Sequence, residues 1–324
     1  MGQIQIIDYS DEWRSKLRDY LKKTFLSYSE AYIEYSLDHS TDRVPSKIVI
    51  NSGGEIVGCH LYYCTKAIIK GEEIETQWGH DTYLNKDYRS SFGLDFMLYI
   101  HSIKGFGVGL SGINKKIQTK LKKVFFNGCF NYYVLNWKFF LSPMQKCLHK
   151  QPEIANVKEF NVGNISFFRV FNAHDIIIPN NGYWFKGYRD IDFIRDEDYI
   201  NERFLKSKVY DYYIFASQYP SAACYFVVRQ SSYKGFPALT LCDFRYSNDD
   251  PQLAKLILDA VIKLAKRSNF GIVFFVCGDV NIDKAIRSRI CYKTKMDFVS
   301  GLKLSSNMTY CLTGGDSDGD FQKR

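Results

Sequence analysis

The sequence predicts an α+β protein of two successive domains, each a mixed, mainly antiparallel central sheet flanked by helices. Three observations carry this. The chain has 324 residues, enough for about two domains of ordinary size, each with its own core. It is rich in aromatics, with 24 Tyr, 25 Phe and 4 Trp, and aromatics favour half-buried pleated surfaces. Finally, one order of elements (hairpin, long strand, helix, strand, helix) is legible twice along the chain.

Residues 3–8 read as a strand, followed by helices in which Ser10 is an N-cap and Trp13, Leu17 and Leu21 recur at helical spacing. The period then changes. Residues 47–51 and 55–65 alternate as strands around a Ser52-Gly53-Gly54 hairpin turn, and a second turn at Lys70-Gly71 leads into a long strand over 73–84. A helical pattern over 93–103, a glycine-rich strand over 106–112, a lysine-rich helix over 114–124 and an aromatic strand over 129–141 complete the first half.

Apolar periodicity lapses beyond Pro143, so the domains are placed at 1–143 and 155–312, with a linker over 144–154 and a flexible tail over 313–324. In the second half, strands over 212–217 and 221–229, a turn at 231–235 and a long strand over 237–246 precede an amphipathic helix with Leu253, Leu256, Ile257, Val261 and Leu264 on one face. A strand over 271–277 and a helix over 282–288 follow. Asp81 falls opposite Asp243, and Gly107 opposite Gly271, at nearly the same offset, the pattern of a structural duplication.

Composition excludes several classes. Apolar residues are 46% and charged residues 24% of the chain, which is ordinary for a globular protein and unlike a disordered or collagenous one. No apolar run reaches the 18 or so residues of a membrane helix. The N-terminus lacks the basic and apolar segments of a secretory signal. Nine scattered cysteines without a Cys-x-x-Cys pair point to a reducing, cytoplasmic setting, and neither they nor the six histidines show metal-ligand spacing. The net charge of +8 is spread evenly over the halves. Its one dense run, Lys115, Lys116, Lys120, Lys122 and Lys123, is either a solvated helix face or the flank of an anionic-ligand site.

The segment from Gly71 through Trp78, His80, Asp81 and Leu84 to Tyr88-Arg89 resembles the fourth strand and following turn of the GCN5-related N-acetyltransferase (GNAT) superfamily. The order of elements over residues 1–141 is similar as well, and that over 205–290 more faintly, so the resemblance implies two tandem GNAT-like domains. It implies acyl-CoA as co-substrate, no metal, and Tyr83, Leu84, Arg89, Ser90, Ser91, Phe92, Gly93, Leu94 and Asn114 as the residues that hold it. The family's phosphate loop reads Gln/Arg-x-x-Gly-x-Gly/Ala. Here only Arg89 matches, and Phe92 and Leu94 put side chains where backbone must approach a pyrophosphate. In the second half the counterpart, Ser247-Asn248-Asp249-Asp250-Pro251, places carboxylates at a helix start, where they cap amides and repel phosphate.

Transfer of an acyl group from a thioester to an amine needs a base for the amine proton. His80 is the first candidate, histidine being the usual proton acceptor at neutral pH, and Glu75 on the same strand is the second. Asp81 reads as structural. The family's acid Tyr is replaced by Leu121, and Tyr132 and Tyr133 read as strand core. A thiol's ordinary pKa near 8.5 lets it depart without an acid.

Three functions fit: an acyl-CoA-dependent N-acyltransferase, on analogy an N-acetyltransferase, acting on a small amine such as an amino sugar; a Fem-type transferase using aminoacyl-tRNA; and a non-catalytic binding protein built on a worn acyltransferase fold. Oligomeric state is not legible.

Overall fold

The computed structural model describes residues 4–39, 45–102, 107–109, 115–136, 153–217, 223–287, 289, 291–301 and 307–316. The expected linker and Asn114 lie outside them. The chain forms two compact units. Unit 1 comprises Met1–Lys66, Glu75–Cys129 and Met296–Asn307, and unit 2 comprises Ala67–Ile74, Phe130–Lys295 and Met308–Arg324. The units are therefore not the consecutive segments 1–143 and 155–312. Each takes a strand from the other half of the chain.

In unit 1, β1 (Ile4–Asp8) pairs antiparallel with β2 (Lys47–Asn51), and β2 with β3 (Ile56–Ile69). Next come β4 (Glu72–Leu84) and β5 (Gly107–Gly109), which run parallel through Trp78↔Gly107 and Gly79↔Val108. A parallel pair requires a crossover, supplied by helix α3 (Lys86–Ser102). The other side of β5 is taken by the end of β14 (Cys291–Ser300), with Phe298 opposite Gly109. Gly128 makes room for that late strand, since a Cβ there would sit 2.2 Å from the Phe298 ring.

Helices α1 (Arg14–Thr24) and α2 (Glu30–Asp38) bury Leu17, Leu21, Ile33 and Leu37 with Ile48, Cys59 and Leu61 of the sheet. A second core joins Val49, Val57 and Leu84 of the sheet to Phe96, Met97 and Ile100 of α3 and to Leu121 of α4 (Lys115–Val124). Helix α3 begins seven residues before the apolar period that betrays it. Its first turns expose Lys86, Asp87, Arg89, Ser90 and Ser91, which leave no periodic signal.

Unit 2 opens with β6 (Phe126–Asn136), whose residues from Asn131 to Asn136 pair antiparallel with β13 (Ile272–Cys277). The hairpin β7 (Glu159–Val162) and β8 (Ile165–Val170) leads on to β10 (Tyr212–Ser217), β11 (Cys224–Tyr233) and β12 (Phe236–Tyr246). Short β9 (Ile191–Phe193) pairs with Ala67–Ile69, and the short helix α5 (Glu197–Ile200) follows it. Helix α6 (Pro251–Arg267) crosses from β12 to parallel β13, as α3 crosses from β4 to β5, and α7 (Val280–Ile286) follows. The expected face of α6 packs as read, with Leu253, Ile257, Val261 and Leu264 buried and Leu256 half-buried. Asp250 caps the helix, its carboxylate accepting from the Gln252 amide at 2.8 Å. Residues 313–316, placed by the sequence in a flexible tail, belong to the folded unit, and Thr313 is buried against Asp243.

Candidate active site

Strand β4 carries the site because it is buried where most strands alternate. Thr76 to His80 are all buried, so the expected division into an inner and an outer face does not hold over this stretch. Asp81 then takes φ 47°, a left-handed backbone uncommon for a residue with a Cβ. The two adjacent side chains meet, with His80 Nδ1 3.0 Å from Asp81 Oδ2. Both side chains are buried, at 0% and 4% exposure.

Two tyrosines complete the cluster. Tyr32 Oη of α2 donates to Asp81 Oδ2 at 2.9 Å, and Tyr28 Oη, one residue before the helix cap, donates to Oδ1. The side chain of Ser29 caps α2 by accepting from the Tyr32 amide, which fixes the turn that presents both phenols. Burial pushes the Asp81 carboxyl up, but the charge of His80 and hydrogen bonds from His80, Tyr28 and Tyr32 outweigh it and hold the group below the usual carboxylate range. Ionised Asp81 only accepts hydrogen bonds, so His80 Nδ1 carries the proton and Nε2 is the basic nitrogen. An imidazole oriented by a buried carboxylate is suited to taking a proton and holding the resulting charge.

Of the two base candidates, the structure places His80 in this cluster and Glu75 outside it. Glu75 is exposed and lies five residues away, about 16 Å along the strand. Tyr28 and Tyr32 were not picked out from the sequence. The i, i+4 spacing of Tyr28 and Tyr32, with Tyr35 three residues further on, is a visible signal, but that spacing serves equally for core packing.

The expected cofactor residues lie at and beyond the end of β4. Tyr83 belongs to an aromatic group with Tyr20 and Phe25, at ring-centroid distances of 6.4 and 5.9 Å. Leu84 is core. Arg89 turns back on the strand, donating from Nε to the Leu84 carbonyl at 2.6 Å with its guanidinium 4.9 Å from the Tyr83 ring centre. Ser90, Ser91, Phe92, Gly93 and Leu94 form no loop. They lie within α3, where their amides bond to carbonyls four residues back. Gly93 is buried, yet a Cβ there would meet only the Arg89 Cβ at 3.8 Å, so packing does not demand glycine. Strand β4 pairs with β5 at Trp78 and Gly79, immediately before His80. The position of the missing acid, Leu121, is fully buried core.

Unit 2 uses the matching aspartate differently. Asp243 is buried among two arginines, with Arg195 Nε at 2.9 Å and Arg245 Nη1 at 3.2 Å, and it accepts from Tyr225 Oη at 2.8 Å. Burial pushes its carboxyl up, but the two guanidiniums more than offset this and hold it down. At the start of α6, Asp249 is paired with Arg189, and Arg189 Nη2 lies 2.9 Å from Asp279. Tyr133, a strand-core residue as read, donates to Asp283 at 2.8 Å. Among the described residues no group of His, Cys, Asp or Glu side chains is arranged to hold a metal ion, and no helix is long and apolar enough to cross a membrane.

Two further histidines of unit 1 make stability depend on pH. His60 on β3 and His101 on α3 are buried. Burial, together with the charges of His101, His80 and Lys47, holds His60 well below the ordinary imidazole value, and burial holds His101 at about 4. The unfolded chain takes up these protons near pH 6.5 and the folded chain does not. Stability is therefore complete above about pH 6.5 and falls as the pH drops toward 4, by on the order of 3 kcal/mol for His101 alone. Urea titrations from pH 7 to 4.5 are expected to show this slope, and His101→Leu should flatten it. An unchanged slope in that variant would rule His101 out as the source.

No family model matches the chain, and no curated protein matches it in sequence. Solved structures do match in fold. A GCN5-related N-acetyltransferase from Anabaena variabilis is 10% identical with a TM-score of 0.55, the match covering 91% of this chain and 72% of that one. A conserved protein of Enterococcus faecalis described as a probable N-acyltransferase is 10% identical with a TM-score of 0.57, covering 94% and 74%. The N-myristoyltransferase of Saccharomyces cerevisiae with bound myristoyl-CoA is 9% identical with a TM-score of 0.56, covering 92% and 79%.

Proposed function

We propose that this chain, whose fold is that of the GCN5-related N-acetyltransferases, is an acyl-CoA-dependent N-acyltransferase acting on a small amine. The observation that carries the reading is the buried His80–Asp81 pair, braced by Tyr28 and Tyr32 and following directly on the pairing of β4 with β5 at Trp78 and Gly79.

The thioester supplies an activated carbonyl and a leaving thiolate. His80 Nε2 takes the proton that the amine loses as its nitrogen bonds to the carbonyl carbon, and Asp81 stabilises the resulting imidazolium through Nδ1–H. The carbon–sulfur bond then breaks. The thiolate needs no dedicated acid because its conjugate thiol is itself acidic, which suits a site with Leu121 in place of a phenol. Tyr28 and Tyr32 keep Asp81 ionised and His80 in one tautomer, so they are positioning residues. The helical amides of Ser90 to Leu94 do not fit a pyrophosphate. An amino sugar as acceptor rests on analogy alone.

The test is ligand binding by the intact chain. Acetyl-CoA or a longer acyl-CoA is expected to raise the melting temperature, by an amount equivalent to about 2.7 kcal/mol at a hundredfold excess over Kd. No heat in calorimetry and no thermal shift at millimolar acyl-CoA would reject the reading in favour of a non-catalytic binding protein.

A further inference from the structure

Helix α4 carries five lysines and no acidic residue. At about 100° per residue, Lys115, Lys116, Thr119, Lys120 and Lys123 share about 140° of its circumference. All four lysines on that arc are exposed. The rest of the helix is anchored: Leu121 is fully buried in the core with Phe96, Ile100 and Val299, and Lys122 is bound to Asp297. The run is thus a fixed strip of positive charge. From Lys116 to Lys123 it extends about 10 Å, two helical turns. Val124, 64% exposed, ends it with an apolar side chain.

The neighbouring helix α3 shows why such a strip matters. Its amides from Ser90 to Leu94 are spent within the helix, its first turn carries Asp87, and Arg89 is held against the Leu84 carbonyl. The residues at the phosphate-loop position, Ser90 to Leu94, therefore offer no amides to a nucleotide diphosphate.

Building on the acyl-transfer reading above, we infer that the lysine face of α4 docks a small acidic protein that presents the acyl thioester on a phosphopantetheine arm, and that this carrier is the preferred donor over free acyl-CoA. The charge pattern favours it. Lysines spread over two turns match carboxylates spaced along a facing helix, whereas one nucleotide phosphate engages one or two of them. An apolar residue bordered by lysines suits a protein contact with a charged rim. The second basic run, Lys284, Arg287, Arg289, Lys293 and Lys295, is largely neutralised, with Arg287 and Lys293 on Asp283 and Arg289 on Asp259, so it offers less free charge for tracking a nucleic-acid backbone than the α4 strip.

The experiment uses the full chain and four probes: a hexanoyl-loaded acyl carrier protein, its unloaded form, hexanoyl-CoA and a short RNA duplex. The loaded carrier is expected to bind about tenfold tighter than hexanoyl-CoA and to weaken steeply with salt. The double variant K120E/K123E should lose about tenfold in carrier affinity, with hexanoyl-CoA binding and melting temperature unchanged. Hexanoyl-CoA binding as tightly as the carrier, equal carrier binding by the variant, or tighter binding of the RNA duplex would each overturn the inference and leave the acyl-transfer reading standing. Failure of every thioester probe to bind would overturn both.

Discussion

His80→Ala is expected to lower turnover by about 10²- to 10³-fold, in the range that a positioned general base contributes, while acyl-CoA affinity changes little. The separation follows from the geometry. His80 is buried against Asp81, which Tyr28 and Tyr32 hold, whereas Arg89 and the start of α3 lie five to ten residues further along the chain. Asp81→Asn should reproduce most of the loss, because a neutral amide neither fixes the tautomer nor balances the imidazolium. Glu75→Gln, on an exposed part of the strand, should leave turnover within about twofold. A His80 variant with full activity between pH 6 and 8 would remove it as the base and bring Glu75 forward. Because the wild-type profile would report a group in a coupled cluster, the limb that disappears in His80→Ala is the informative one.

Asp243→Ala should destabilise unit 2 by about 3 to 5 kcal/mol, because it strips the carboxylate from Arg195 and Arg245 and leaves two guanidiniums buried without it. For a unit of this size that corresponds to a fall of roughly 10 °C in the melting temperature. Tyr225 and Thr313 lose their acceptor in the same variant. Asp243→Asn keeps the volume but not the charge and should recover only a small part. If Asp243→Ala melts within a degree or two of the parent, the buried ion group is not what holds this unit together. Asp81 sits at the corresponding place on β4 with tyrosines and a histidine around it. The same strand position thus serves a structural ion group in one unit and orients a candidate base in the other.

What the sequence determined by itself is local. The hairpin turns, the long strand β4 with His80 on it, the apolar face of α6 and the Asp250 cap were all legible, because turn chemistry, side-chain alternation and helical period act within a few residues. The duplicated order of strand, crossover helix and strand was legible for the same reason. Only the tertiary structure decided the rest. The start of α3 was hidden because its first turns face solvent. Residues expected to form a phosphate loop proved to be helix, so their amides are spent. Strand β14 completes the sheet of unit 1 and most of β6 that of unit 2, a choice made by pairing between segments more than a hundred residues apart. Tyr28 and Tyr32 reach Asp81 across about fifty residues of chain. No local pattern encodes such a meeting. It exists because α2 packs on the sheet at one register, and burial makes the hydrogen bonds to a desolvated carboxylate obligatory once it does.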